Sequence, residues 1–459
     1  MSTNNAAKPL QTSIPTGYER VSPCPSLNNT ELKILECIRP LGVRDELMFY
    51  CEPTEPYKNC CTCCGSRNYY AHGRTADRLV HDCDIGRARV TLQVRVPRYL
   101  CNDCGKTFTY PFTTIMPRQP FTVELYEQIR HEALLGPFSK VAERFGISVP
   151  TVASILEEYG RELERSYHPT APRVLGIDEK HIVRKSRGVL VDIEKRKLIE
   201  MMPDNKRETM IQAITRLPNY ELIEVVTMDM TSGYVSLVEE ILPAATIVID
   251  KFHVVQDLQR KIATTRKNVF KHLKEQIELI ADEDEKEQKR ALLTRMGKDS
   301  YLFKYGVKKL PKRPAQISLM SELCETFPVV NTLRMVKEGL ERIYDANSRE
   351  EAEAIYNEWK MIVPAQDPLF SEVMIMKRTM DRWHKYIFNY FNEGCQYTNA
   401  ATEGANSSIQ HVNNQGRGYS FNVLRIKALF QPRKEHECCQ YGRKKKVFTG
   451  AFTTSEDAE

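Results

Sequence analysis

Two short cysteine runs constrain this chain more than anything else in it. Cys61-x-x-Cys64-Gly65 and Cys101-x-x-Cys104-Gly105 each set two thiolates on a tight turn. From such a turn both sulfurs reach one ion at about 2.3 Å, and the glycine permits the backbone geometry. Ten of the 14 cysteines precede residue 105, in a chain of 459 residues that can bury a core without disulfide support. The clustering therefore has a local cause, and two knuckles completing one tetrahedral site supply it. Cys60-x-x-Cys63 overlaps the first knuckle and is the alternative pair; Cys61 and Cys64 are preferred because Gly65 then matches Gly105. Cys83, His72 and His81 are expected to lie outside the site. Four sulfurs leave no open position, so the expected ion is structural Zn2+, serving folding and DNA docking rather than catalysis.

No apolar run reaches the roughly 18 residues of a membrane span. The polar start MSTNNAAKPLQTS lacks the basic-then-apolar order of a signal peptide. The expectation is a cytoplasmic protein with no membrane partner, where paired cysteines point to metal and not to disulfides. The net charge of +6 and the 27% of charged residues do not by themselves establish nucleic-acid binding. Lys and Arg are nevertheless concentrated at 87–98, 260–274, 308–313 and 443–446; each run reads equally as a solvated face. There is no glycine-lysine phosphate loop, so ATP is not expected.

Along the chain, residues 1–57 read as a loose lead-in around a short apolar helix at 32–38. Residues 58–112 hold the zinc-binding module, with period-two strands at 79–83 and 90–96, a small β, zinc-ribbon-like unit. Residues 118–165 turn helical, and Gly146 breaks a pair of helices in the manner of a helix-turn-helix, a DNA-binding shape. Ser148, Thr151 and Ser154 are placed to face a groove, and Arg95 and Arg98, in the basic run, are candidate DNA contacts. An ordinary helical linker is the other reading of that segment.

From 173 to 254 the pattern is α/β: three strands, a helix, a strand, a helix and a strand. This is the order of the RNase H fold, although order alone does not establish a fold. Residues 255–395 read as an all-helical insertion, 396–432 as returning core helices, and 433–459 as a basic then acidic tail. Asp178 is expected to end the first strand and Asp229 the fourth, neighbours in that order, while Glu403 lies on a helix after the insertion. Phosphodiester chemistry with two Mg2+ (or Mn2+) ions needs carboxylates that converge in this way from separate elements.

These features together resemble the ISL-three family of bacterial insertion-sequence transposases. The resemblance runs from about 58 to 430 and rests on the cysteine pairs with Cys-Asn-Asp-Cys-Gly-Lys-Thr-Phe. It rests equally on Gly176-Ile-Asp-Glu179, on Val226-Thr-Met-Asp229 followed by Tyr234, on Asp250-Lys-Phe-His253, on Thr398-Asn-x-x-Thr-Glu403-Gly404-x-Asn406, and on Arg417-Gly-Tyr419. It implies a DDE-type catalytic core with Asp178, Asp229 and Glu403 as metal ligands, and double-stranded DNA, both transposon ends and target, as substrate. It also implies a homodimer or larger assembly, associated with the nucleoid when DNA-bound. Asp250 competes with Asp229 for the second ligand position; Asp250 and His253, with Glu179 and Asn406, are then near-site support. Trp383 resembles an aromatic that such enzymes set ahead of the Glu, to stack on a base, and reads equally as a core residue. Arg417 is a candidate DNA contact. Ser407, Ser408 and Gln410 stand where the family usually has basic residues. Two rival functions are a catalytically silent DNA-binding regulator derived from a transposase, and an RNase H-fold nuclease acting on other substrates.

Overall fold

The computed structural model describes residues 14–21, 29–43, 45–298, 314–416 and 418–432. The basic runs at 308–313 and 443–446, the tail from 433 and Arg417 lie outside these residues. The chain forms two compact units, residues 1–162 and 163–459.

In the first unit, β1 (Tyr18–Arg20), β2 (Leu32–Pro40) and β3 (Glu46–Pro53) precede β4 (Tyr69–Arg74), β5 (Arg78–Ile85), β6 (Ala88–Val94), β7 (Pro97–Cys101) and β8 (Thr107–Thr109). They make two sheets, ordered β1-β2-β3-β6-β5 and β4-β7-β8. The helix expected at 32–38 is instead strand β2. A register shift between Ile34 and Glu36 turns Leu35 outward, 42% exposed. Such a bulge breaks period-two alternation and leaves apolar residues at a spacing that mimics a helix turn. The segment expected as a loose lead-in thus supplies strands whose Leu32, Cys37, Leu47 and Phe49 pack against Val80, Val90, Leu92 and Val94. Strands β5 and β6, read as part of the zinc module, belong to this larger sheet.

Three helices follow: α1 (Val123–Leu135), α2 (Phe138–Phe145) and α3 (Val149–Ser166). The Thr122 hydroxyl accepts from the Leu125 amide at the start of α1, a side-chain N-cap. Helix α2 ends at Gly146, whose φ of 64° is the left-handed conformation that glycine adopts without strain. The Ser148 hydroxyl accepts from the Thr151 amide and opens α3, which buries Val152, Ile155 and Leu156.

The second unit is built on a five-stranded sheet in the order β11-β10-β9-β12-β13. Antiparallel β9 (Val174–Ile182), β10 (Lys185–Asp192) and β11 (Lys197–Met201) open it, and α4 (Arg207–Thr215) leads to β12 (Val225–Met228). Helix α5 (Ser232–Ile241) then leads to β13 (Thr246–Ile249). β12 is parallel to both β9 and β13. β9 continues beyond the expected end at Asp178, because its polar second half pairs with β10 as far as Ile182↔Lys185; Asp178 is therefore a mid-strand residue. The hairpin turns through Val183 and Arg184 at φ of 50° and 61°, the left-handed pair that a two-residue turn requires.

The 28-residue helix α6 (Lys251–Glu278) buries Val254, Leu258, Ile262, Thr265, Val269, Leu273 and Ile277, a stripe of three- and four-residue steps. After it come α7 (Glu283–Lys298), α8 (Pro314–Thr326), α9 (Pro328–Ile343), α10 (Arg349–Ile362) and α11 (Ser371–Phe388). From 255 to 395 the described residues contain no strand. The helices share one apolar core with the sheet, and the Asn389 side chain donates to the Ile247 carbonyl on β13 at 2.8 Å. Helices α12 (Ala400–Gly416) and α13 (Phe421–Phe430) return to the sheet, where Arg425 on α13 bonds both Glu200 oxygens at 2.7 Å.

Candidate metal centres

The four knuckle cysteines converge. Cys61 Sγ lies 3.9 Å from Cys104 Sγ, and Cys64 Sγ lies 3.6 Å from Cys101 Sγ. A tetrahedron with bonds of about 2.3 Å has edges of about 3.8 Å, so the sulfurs are spaced for one Zn2+. The two turns are copies: the Cys61 amide donates to Ser66 O and the Gly65 amide to Cys61 O, as Cys101 does to Lys106 O and Gly105 to Cys101 O. Gly65 and Gly105 have φ of 73° and 65°. Asp103 ties one turn to the other through the Ser66 hydroxyl and Asn68 Nδ2, and Tyr69, Tyr99 and Phe108 pack against Cys61 and Cys101. Cys60 and Cys63 are exposed and stand outside the cluster, as do Cys83, His72 and His81.

The second centre assembles from distant segments. Asp229 follows β12 directly, and Asp250 follows β13 and precedes α6. His253, one turn into α6, places Nδ1 2.9 Å from Asp229 Oδ1 and 2.9 Å from Asp250 Oδ2. Only the Asp250 contact has hydrogen-bond geometry, and one N–H serves one acceptor well, so Asp229 Oδ1 is a buried oxygen in ion-pair range with no donor aimed at it. Contact with Asp229 and then Asp250 pushes the His253 imidazole up to about 10. These three side chains and the four cysteines are the groups of potential ligands that come within 4.8 Å of one another among the described residues.

Asp178 and Glu403 stand outside that tight group but within its electrostatic field. Asp178 accepts from Asn406 Nδ2 at 2.6 Å and from the Glu179 amide at 2.7 Å. Burial, and then the charge of Asp229, pushes its carboxyl up to about 6. Burial also raises Glu403, with the charge of Asp250 adding to it. Glu179 points its oxygens at the Tyr234 hydroxyl, 2.6 Å away, and at Asn205 Nδ2, 2.9 Å away.

Asp250 is 1% exposed, and its other oxygen accepts the Asn399 amide at 3.1 Å. Its two oxygens are thus each taken by a donor, unlike those of Asp229. Trp383 is 8% exposed and belongs to the apolar core, with its ring 5.9 Å from that of Tyr386. Arg95 pairs with Glu52 at 3.2 Å, and Arg98 Nε donates to the His72 carbonyl. Ser148, just ahead of α3, and Ser154, on it, are exposed, with Thr151 half-buried and bonded to Ser148. Thr227, Asn399 and Asn205 were not singled out as site residues from the sequence. A threonine inside the buried run Val225-Val-Thr-Met228 is the signal that could have found the first.

Two family models match the chain. The model for the ISL3 transposase domain, described as a transposase, matches residues 175–428. A second model, the zinc-finger of transposases of IS204, IS1001, IS1096 and IS1165, matches residues 58–104. The transposase for insertion sequence element IS1001 of Bordetella parapertussis is 28% identical over 220 residues, covering 47% of this chain and 54% of that protein. The chain thus spans about half the length of the curated relative it matches. With its zinc ribbon and with more than half of its residues inside the transposase model, the chain belongs to the ISL3 family of transposases.

Proposed function

We propose that this transposase binds the terminal inverted repeats of its element and catalyses DNA strand cleavage and strand transfer, with Asp178, Asp229 and Glu403 as the metal-binding acids of an RNase H-like core. The observation that carries the reading is the sheet order β11-β10-β9-β12-β13. It sets Asp178 on β9 and Asp229 directly after the neighbouring parallel strand β12, while Asn406, on the Glu403 helix, bonds Asp178. The donor set suits hard cations such as Mg2+ or Mn2+: carboxyls raised by burial and then by neighbouring negative charge, and a buried oxygen of Asp229 without an aimed donor. When bound, two such ions activate the attacking oxygen and steady the leaving one.

The chain's own residues hold this arrangement. Asn406 and the Glu179 amide orient the Asp178 carboxylate, and Tyr234 and Asn205 hold Glu179. His253, hydrogen-bonded to Asp250, lies in ion-pair range of Asp229 and would balance its charge; the occupied oxygens of Asp250 favour a supporting role over direct ligation. No covalent protein intermediate is needed, so no Ser or Tyr nucleophile takes part.

The zinc ribbon, with Arg95 and Arg98, and α2–α3 as a helix-turn-helix presenting Ser148, Thr151 and Ser154, would contact the repeats. Their phosphate contacts make affinity salt-sensitive, while a few side chains read bases. Joining two ends calls for a homodimer or larger assembly acting on the nucleoid.

Cleavage of a labelled duplex carrying the element's own end, with Mg2+ or with EDTA, tests the reading. Cutting that needs Mg2+ and disappears in Asp178→Ala, Asp229→Ala and Glu403→Ala, with end binding retained, supports it. End binding without cutting by the wild type overturns it in favour of a silent regulator.

A further inference from the structure

We infer that Asn399 and Thr227 form a buried positioning lock that sets the register of the Glu403 helix against the sheet, an inference that rests on the proposed catalytic role of Glu403. Asn399 precedes the first residue of α12, and its carbonyl accepts the Glu403 amide at 2.9 Å. Its Oδ1 accepts two hydroxyls, Thr227 from β12 at 2.9 Å and Thr402 from α12 at 3.0 Å. Its amide donates to Asp250 at the end of β13, and Nδ2 donates to the Ile177 carbonyl of β9 at 3.5 Å. One residue thus bonds three strands or strand ends. Asn399, Thr227 and Thr402 have no exposed surface, so each of these bonds is made in place of water, and an orphaned partner carries a full desolvation penalty.

Helical spacing converts this fixed point into side-chain aim. Residues 399, 402, 403 and 406 recur at i, i+3, i+4 and i+7, one face of a helix. Slipping α12 by one residue would swing Glu403 about 100° around the axis and break the Asn406–Asp178 bond with it. β9 is shaped for the same contact: a Cβ on Gly176 would lie 2.5 Å from Thr402 Oγ1. Asn399 is therefore a positioning residue that acts through Glu403 and Asp250, and Thr227 is its anchor on the sheet.

Thr227→Val removes the hydroxyl at nearly constant shape, and Thr227→Ser keeps it. The full chain is compared in three assays: Mn2+ binding followed by electron paramagnetic resonance without DNA, amide hydrogen exchange across the first turn of α12, and cleavage of the end duplex. Thr227→Val is expected to weaken Mn2+ binding and lower kcat by about tenfold each, and to speed exchange by a similar factor, the size of one buried hydrogen bond. KM for the duplex stays within about twofold, and Thr227→Ser recovers most of the loss. Wild-type Mn2+ affinity and exchange in a folded Thr227→Val protein would overturn the lock. So would a Thr227→Ser protein as impaired as Thr227→Val, which would assign the effect to the methyl group. A wild type that cuts no DNA while both variants behave as expected in binding and exchange would overturn the proposed function and leave the lock standing.

Discussion

Replacing Gly176 with alanine tests how closely the Glu403 helix is pressed on the sheet. The added Cβ would lie 2.5 Å from Ile193 Cδ1 and 2.5 Å from Thr402 Oγ1. Ordinary contact needs about 3.4–4 Å, so roughly 1 Å must be found. The Ile193 methyl ends a flexible side chain and can rotate away. Thr402 cannot follow it, because its hydroxyl is bonded to Asn399 and its backbone is helical. The helix as a whole must therefore lift from β9. Overpacking of this size costs about 1–3 kcal/mol, which corresponds to a fall of roughly 2–6 °C in melting temperature for a unit of this length. The functional loss should be disproportionate, since a displacement of about 1 Å in a reacting group costs on the order of 100-fold in rate. Thermal melting and single-turnover cleavage of the end duplex measure the two effects together. A Gly176→Ala protein that melts and cuts like wild type would refute the close approach of α12 to β9 and the account of Glu403 built on it.

Two further outcomes follow from separate parts of the molecule. Metal analysis should find about one zinc per chain; Cys101→Ser or Cys104→Ser should lose it and unfold the three-stranded β4-β7-β8 sheet, whereas Cys60→Ser and Cys63→Ser should retain it, and loss of zinc in the latter pair would restore the alternative knuckle. Lys427, 2% exposed, has its ammonium pushed down to about 7 by burial, so between about 7 and its ordinary value of 10.5 the unfolded chain binds the extra proton and stability rises with pH. Lys427→Met should therefore raise the melting temperature most at and below pH 7, with the gain shrinking toward pH 10.5; a gain independent of pH would contradict the burial of a titrating amine.

What could be read in the sequence was local or periodic. The zinc knuckles needed only residues three apart, and the strand and helix order from 173 to 254 needed only alternation and length. The misreadings share a physical cause, in that long-range pairing overrides local pattern. Leu35 looks helical because a bulge in β2 takes it out of phase, and β5 and β6 lie between the cysteine pairs in sequence yet join a sheet started by β2 and β3. Asp178 was expected at a strand end because Glu179-Lys-His181 is polar, whereas a hairpin carries polar residues past the sheet's apolar core. The lock was beyond sequence reasoning for a similar reason. Thr227 and Asn399 are 172 positions apart, and neither residue type carries an ionisable group that would mark it as part of a site.

Iron-directed backbone cleavage asks whether Asp178, Asp229 and Glu403 bring three segments of the chain to one cation site. Fe2+ substituted for Mg2+ in the protein, with ascorbate and peroxide, generates hydroxyl radicals that cut the chain beside the bound ion. Cuts should cluster at three places, around residues 178, 229 and 403, all suppressed by excess Mg2+ and by Asp229→Ala. Cuts confined to the stretch from 229 to 253, with none near 178 or 403, would contradict it and place the ion on Asp229, Asp250 and His253 instead.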